Sequence, residues 1–261
     1  MKPTSTRRDL LTFLKKPHFE AAQDLAIKSK IVIVLKVLIL TYIGLVIANV
    51  PFTLMKKLNL IGEVSSAVNL VLDAMTQQSI SFKPYFIFTS ALLVPLLEET
   101  AFRLFLTRFK INYFIVSVSL IAGILILHFT GALLWRPESY LLLSLSTYFY
   151  VLIISGVIGI ALWLGRKQLE KTEKSWNNNP GLIFYSSAVF FAFFHLMSIN
   201  LNGTNLLLTP IILLPFMVYG LAFGYIRIRL GFIYSILLHF IILGIRLGLP
   251  ELLKTLKTDT L

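Results

Sequence analysis

The sequence predicts an all-α protein, a polytopic transmembrane bundle of about seven helices. Hydrophobic residues make up 57% of the 261 residues, well above the share in soluble domains. Seven apolar stretches are each long enough to cross a hydrocarbon layer of about 30 Å as a helix. Polar and apolar residues do not alternate within them, which argues against a membrane β-barrel. The stretches are residues 31–54, 84–107, 111–134, 140–165, 182–200, 206–226 and 232–249.

The Lys and Arg residues divide the chain and orient it. Residues 1–30 are read as a basic, cytoplasmic N-terminal segment, 31–249 as the transmembrane domain and 250–261 as a short polar tail. The first apolar run is too long for a cleaved signal peptide. The later loops that fall on the cytoplasmic side are also the basic ones, as the positive-inside rule requires. A bacterial cytoplasmic membrane is the expected location. Residues 60–80 are read as interfacial, although an eighth span there would reverse the topology that follows.

Composition limits the chemistry that the chain can perform. The net charge is +12, and its basic residues are scattered between apolar segments, so membrane lipid is the expected partner and nucleic acid is not. There is no cysteine, which excludes disulfides, thiolate catalysis and cysteine-based zinc sites.

Two acids stand out because they lie within the apolar stretches, whereas every other Asp and Glu lies outside them. They are Glu98 and Glu99, and Arg103 follows closely. Ionisable residues at membrane depth are costly and therefore indicate function. Glu99 and Arg103 are four residues apart, on one helix face, in the order that favours an ion pair. Glu98 points elsewhere and is left for chemistry, and Pro95 before it predicts a kink of the kind that lines a cavity.

Two histidines, His195 and His239, lie in the middle of predicted spans. Helical rise places them within roughly 10 Å of the depth of Glu98, so the three side chains could converge. A polar network that only holds helices together is the alternative. Other intramembrane hydrolases are excluded by their motifs: there is no pair of membrane aspartates, no H-E-x-x-H and no G-x-S-G. A glutamate with histidines remains, either activating water directly or holding a metal.

Three segments resemble the CPBP family of intramembrane proteases (CAAX protease and bacteriocin-processing, or Abi), which includes the type II CAAX prenyl endopeptidases. Residues 98–103, EETAFR, are similar to the family's E-E-x-x-x-R motif. Residues 191–195, FAFFH, are similar to F-x-x-x-H. Residues 224–231, which lead to His239, are similar to the approach to the last motif, H-x-x-x-N. The motifs lie within residues 84–249.

The resemblance implies an intramembrane endopeptidase that cuts a peptide or protein substrate, lipidated or not. Glu98 would be the catalytic base that activates water, with His195 and His239 binding water, a metal or the developing oxyanion. Glu99, Arg103 and Phe191 would support them. The family is often described as metalloprotease-like. Zinc held by Glu98, His195 and His239 and a metal-free reaction are both open.

One position departs from the family pattern. The last motif has Asn four residues after its histidine, where this chain has Leu243. Leucine cannot donate a hydrogen bond to an oxyanion, so Ser235, Asn200 or Asn202 is considered as a substitute. The departure also leaves open a catalytically silent relative that acts as an immunity or scaffold protein. A proton-coupled transporter is the third hypothesis, although the chain shows no internal repeat.

Overall fold

The computed structural model describes residues 6–21, 25–58, 83–131, 145–196 and 208–258, and within these ranges all regular structure is helical. The all-α prediction is therefore confirmed for the described residues. The helices are α1 (Thr6–Lys15), α2 (Ile27–Lys57), α3 (Lys83–Phe102), α4 (Ile111–Gly131), α5 (Leu145–Leu164), α6 (Arg166–Glu170), α7 (Glu173–Asn178), α8 (Pro180–Leu196), α9 (Thr209–Leu230) and α10 (Phe232–Thr258).

Two of the described helices, α2 and α9, are long and apolar enough to cross a membrane. A third span results if α5 and the two short helices after it count as one element, bent by 73°. The apolar parts of α4, α8 and α10 are shorter. Each of the seven predicted apolar stretches coincides with a helix, but the number that span is two to three by this measure. The prediction for residues 60–80 lies outside the described residues.

Two helix ends differ clearly from those that the sequence predicts. The stretch predicted to run to residue 107 is helical only to Phe102, because the Glu99 carbonyl accepts the N–H groups of both Arg103 and Leu104 and the chain turns there. Helix α8 begins at Pro180, and proline is favoured at the first position of a helix. Helix α10 continues to Thr258, into the segment predicted to be a polar tail.

The chain divides into two compact units. The first comprises Met1–Gln77 and Pro180–Leu238, and the second comprises Gln78–Asn179 and His239–Leu261. In the first unit α9 packs on α2 and α8. A Cβ at Gly220 would lie 3.0 Å from the backbone of Ala188, so glycine is needed where α9 meets α8.

In the second unit α4 packs on α3 and α5. Small residues again set the contact: a Cβ at Gly123 would lie 2.2 Å from the hydroxyl oxygen of Ser155 and 3.2 Å from the Ser155 backbone nitrogen. That hydroxyl is buried, and among the described residues it has no hydrogen-bond partner. Close helix approach here therefore depends on the absence of a side chain at residue 123.

A single non-helical residue, Gly231, separates α9 from α10. Its φ of +108° lies in the region that favours glycine, and its N–H donates to the carbonyls of Ile226 and Arg227. The last turn of α9 is thus closed before the chain starts α10.

Candidate functional site

The two predicted acids lie on the last turn of α3, in the second unit. Glu99 is completely buried, and the Glu98 side chain is 13% exposed. Pro95 lies one turn earlier, inside the helix and buried, and it leaves the Ala91 carbonyl without its usual intrahelical donor. The acid pair therefore lies on an irregular helix that ends immediately after it.

His239 on α10 contacts both acids. Its Nδ1 lies 3.1 Å from Glu99 Oε1, and its Nε2 lies 3.8 Å from Glu98 Oε2. The imidazole is buried, with a side-chain exposure of 6%. One ring thus lies between two carboxylates that are consecutive in the chain. The structure brings together two of the three predicted catalytic residues, Glu98 and His239.

The hydrogen bond to Glu99 determines how His239 presents its other nitrogen. An ionised carboxylate can only accept, so Nδ1 carries the hydrogen and donates it to Glu99. In the neutral ring Nε2 is then an acceptor that faces the Glu98 carboxylate, at a distance too long for a direct hydrogen bond. A water molecule at this position would be able to donate one hydrogen to each acceptor. The arrangement is suited to removing a proton from water.

Arg103 supplies the positive charge near these carboxylates. It is completely buried, and its charge interacts favourably with Glu99 and, more weakly, with Glu98. The predicted Glu99–Arg103 pairing is thus seen as an electrostatic interaction, but it is shared with the neighbouring acid. Glu98 lies five residues before Arg103, a spacing that predicts no interaction between them. The charge of Arg103 nevertheless also acts on Glu98. A buried cation beside two buried acids reduces the cost of burying their charges.

The end of α3 is held in place by contacts within the second unit. Ser117 on α4 donates to the Thr100 carbonyl at 2.8 Å. The Trp176 indole N–H donates to the Thr107 carbonyl at 3.1 Å, and its ring packs edge-on against Phe105, Phe109 and Phe114. These contacts fix the turn that follows the acids. They were not predicted from the sequence, in which only the aromatic residues around position 109 gave a signal.

Asn177 adds a further contact to this turn, because its side-chain oxygen accepts the Phe109 N–H at 2.8 Å. It also positions the segment that follows the acid pair.

His195 lies near the end of α8, in the first unit, and is half-buried. Its Nδ1 lies 2.9 Å from the Phe191 carbonyl, and its ring stacks on Phe216 at 4.8 Å between centroids. Because a carbonyl only accepts, Nδ1 carries the hydrogen and the lone pair of the neutral ring is on Nε2. Phe191 therefore supports His195 through its carbonyl and its ring, which lies 4.4 Å away. That His195 acts with Glu98 and His239 stays a prediction.

Three residues could donate a hydrogen bond to the oxyanion in place of the family asparagine: Ser235, Asn200 and Asn202. Ser235 does not qualify. Ser235 is completely buried and donates its hydroxyl hydrogen to the Phe223 carbonyl at 3.1 Å, so that hydrogen is already used. Asn200 and Asn202 lie outside the described residues. Leu243 is half-buried on α10, one turn after His239.

The described part of the chain has no group of three His, Asp or Glu side chains arranged to hold a metal ion. Zinc held by Glu98, His195 and His239, which the resemblance allows, stays a prediction.

Comparison with family models, with curated proteins and with solved structures finds no match for this chain. The inference of function therefore rests on the chain's own residues: the acid pair at the end of an apolar helix, the imidazole between the two acids and the buried arginine beside them.

Proposed function

We propose that this protein is an intramembrane endopeptidase of the CPBP type, in which Glu98 activates the attacking water. The observation that supports this most directly is the His239 imidazole, which lies 3.1 Å from Glu99 and 3.8 Å from Glu98. Glu99 holds the ring by a hydrogen bond, in the role that an orienting carboxylate has in a catalytic triad. The other nitrogen and Glu98 then face a common position for water.

The reaction proceeds by general acid–base steps. Glu98 takes a proton from water as the water oxygen attacks the carbonyl carbon of the peptide, which gives a tetrahedral intermediate. The carbonyl oxygen becomes an oxyanion. Because both Nδ1–H groups are already hydrogen-bonded, we assign its stabilisation to the Nε2–H of His195 or of His239, the ring concerned being in its protonated form. Glu98 then returns the proton to the departing amine, the C–N bond breaks, and a new carboxylate and a new amino terminus are released.

The proposal also places the protein in the membrane. We assign it seven spans, one for each apolar stretch that coincides with a helix, with the N-terminus in the cytoplasm of a bacterium. Two to three of the helices meet the length and hydropathy criteria by themselves. A site at the end of an apolar helix suits a peptide that is already at the membrane, such as a lipidated or secreted one.

Replacement of Glu98 by Gln tests the proposal. The purified protein is reconstituted in liposomes with a panel of prenylated and unmodified peptides, and new amino termini are identified by mass spectrometry. Glu98→Gln keeps the shape of the side chain but removes the base, so cleavage should fall by about 10²- to 10⁴-fold. The matched control is Glu170→Gln, on the exposed surface of α6, which should cleave like the parent. Undiminished cleavage by Glu98→Gln would reject Glu98 as the base.

A catalytically silent immunity or scaffold protein is the second candidate, and the half-buried Leu243 at the position of the family asparagine is the observation that favours it. In that case Glu98→Gln leaves the cellular phenotype intact. Arg103→Ala still impairs folding, because it removes a buried cation from two buried acids. Peptide cleavage by the purified parent protein would exclude this candidate.

A further inference from the structure

The N-terminal helix α1 is attached to the first unit by one face. Asp9 accepts hydrogen bonds from the Tyr225 hydroxyl at 2.6 Å and from Arg229, whose Nη2 lies 3.0 Å from Asp9 Oδ1. Phe13, one turn later, is 1% exposed and packs edge-on against Phe184 and Tyr225. Both anchors lie on the same side of the helix because they are four residues apart. The rotation of α1 about its own axis is therefore fixed.

Further contacts hold the last turn of α1 and the segment that follows it. The Tyr185 hydroxyl donates to the Leu14 carbonyl, and Arg229 also donates to the Glu20 carbonyl at 3.2 Å. The N-terminal segment is thus connected to α8 and α9 along much of its described length. It is a docked element, although the sequence suggested only a basic tail.

The fixed rotation determines what α1 presents on its opposite face. Arg7, Leu11 and Lys15 are spaced by four residues and form one stripe, about 200° around the helix from Asp9 and Phe13. Arg7 and Lys15 are exposed, and Leu11 between them is 50% exposed. A leucine flanked by two cations, on the side away from the docking contacts, is the pattern of a helix that lies on a membrane surface.

From this geometry we infer that the Arg7–Leu11–Lys15 stripe binds anionic phospholipid. The cations match the negative charge of phosphate headgroups, and Leu11 matches the acyl region just below them. The apolar helices of the same chain favour a lipid surface as the source of the phosphate, because a soluble phosphate would gain nothing from Leu11. The N-terminal helix would thus be a lipid-binding site separate from the proposed peptidase chemistry.

The test uses the full chain in an uncharged detergent. Because the chain has no cysteine, Thr12→Cys gives a single labelling site beside the stripe for an environment-sensitive fluorophore. Short-chain phosphatidylglycerol is titrated, with phosphatidylcholine of the same chain length as reference. The parent should bind phosphatidylglycerol at least tenfold more tightly, and Arg7→Gln with Lys15→Gln should weaken that binding roughly 30-fold. Leu11→Gln should also weaken it although it keeps both charges.

The matched control removes two exposed cations elsewhere, Lys167→Gln with Lys171→Gln, and so changes the net charge by the same amount. It should bind phosphatidylglycerol like the parent. Equal loss in both double variants, or no loss in the α1 variant, would overturn the inference. Saturation by free glycerol phosphate, or displacement of the lipid by a short oligonucleotide, would overturn it as well, since either would indicate a different ligand. Circular dichroism of every variant should match the parent.

Discussion

Replacement of Gly220 by Ala tests how closely α9 approaches α8. The added Cβ would lie 3.0 Å from both Cα and O of Ala188 and 3.1 Å from its Cβ. Carbon atoms in contact are ordinarily about 3.5–4.0 Å apart, so the two helices must separate by roughly half an ångström. Two of the three atoms belong to the backbone and cannot move by a change of rotamer. Overpacking of this kind costs about 1–3 kcal/mol.

The same substitution also has a favourable effect, since Ala in a helix interior is preferred over Gly by about 0.5–1 kcal/mol. The net expectation for Gly220→Ala is a loss of about 1–2 kcal/mol of unfolding free energy. Gly156→Ala is the matched control, because no atom in the described part of the chain lies within 4 Å of a Cβ there, and it should be neutral or slightly stabilising. Thermal unfolding in detergent measures both variants. Equal melting temperatures for the two variants would refute the close approach of α8 and α9.

Three further predictions concern the packing of the second unit, the docking of α1 and the acid pair. Gly123→Ala should destabilise the protein, because the new Cβ would lie 2.2 Å from the hydroxyl oxygen of Ser155. Ser155→Ala removes that oxygen and should restore part of the lost stability. A double-mutant cycle of unfolding free energies should show this coupling. Asp9→Asn should weaken the docking of α1 by about 1 kcal/mol, because the ion pair is partly exposed, and hydrogen exchange of the α1 amides should accelerate. Glu99→Gln should lower kcat for peptide cleavage by about 10- to 100-fold, because it loosens His239, and Glu99→Asp should recover part of the loss.

The seven longer helices were predictable because each overlaps a long apolar stretch, whereas α1, α6 and α7 overlap none. The acid pair was predictable because only two acids lie inside those stretches. Depth along the spans predicted only that His239 and Glu98 could converge. That Glu99 rather than Glu98 makes the short contact with His239 was not predictable, since it depends on how α3 is rotated against α10. The spacing of residues in the sequence predicts contacts within one helix, but it does not predict contacts between two helices.

The docking of α1 was missed for the same reason. Asp9 and Arg229 are 220 residues apart, and neither shows its partner in the local sequence. A signal was nevertheless present: Asp9 is the one acid in a helix that is otherwise basic, and Phe13 lies one turn after it. An acid and an aromatic residue four positions apart on a basic amphipathic helix mark the side that is turned inward.

The imidazole shared by two consecutive glutamates has a consequence for protein design. The spacing of the acids is set by the helical backbone of α3, and tertiary packing has to supply only the ring. The arrangement of the ring and the two acids is therefore set by two helices and by the distance from residues 98–99 on α3 to residue 239 on α10. A synthetic helical hairpin would therefore carry Glu-Glu and the arginine four residues later on one arm and His on the other, since the buried cation offsets the two carboxylates.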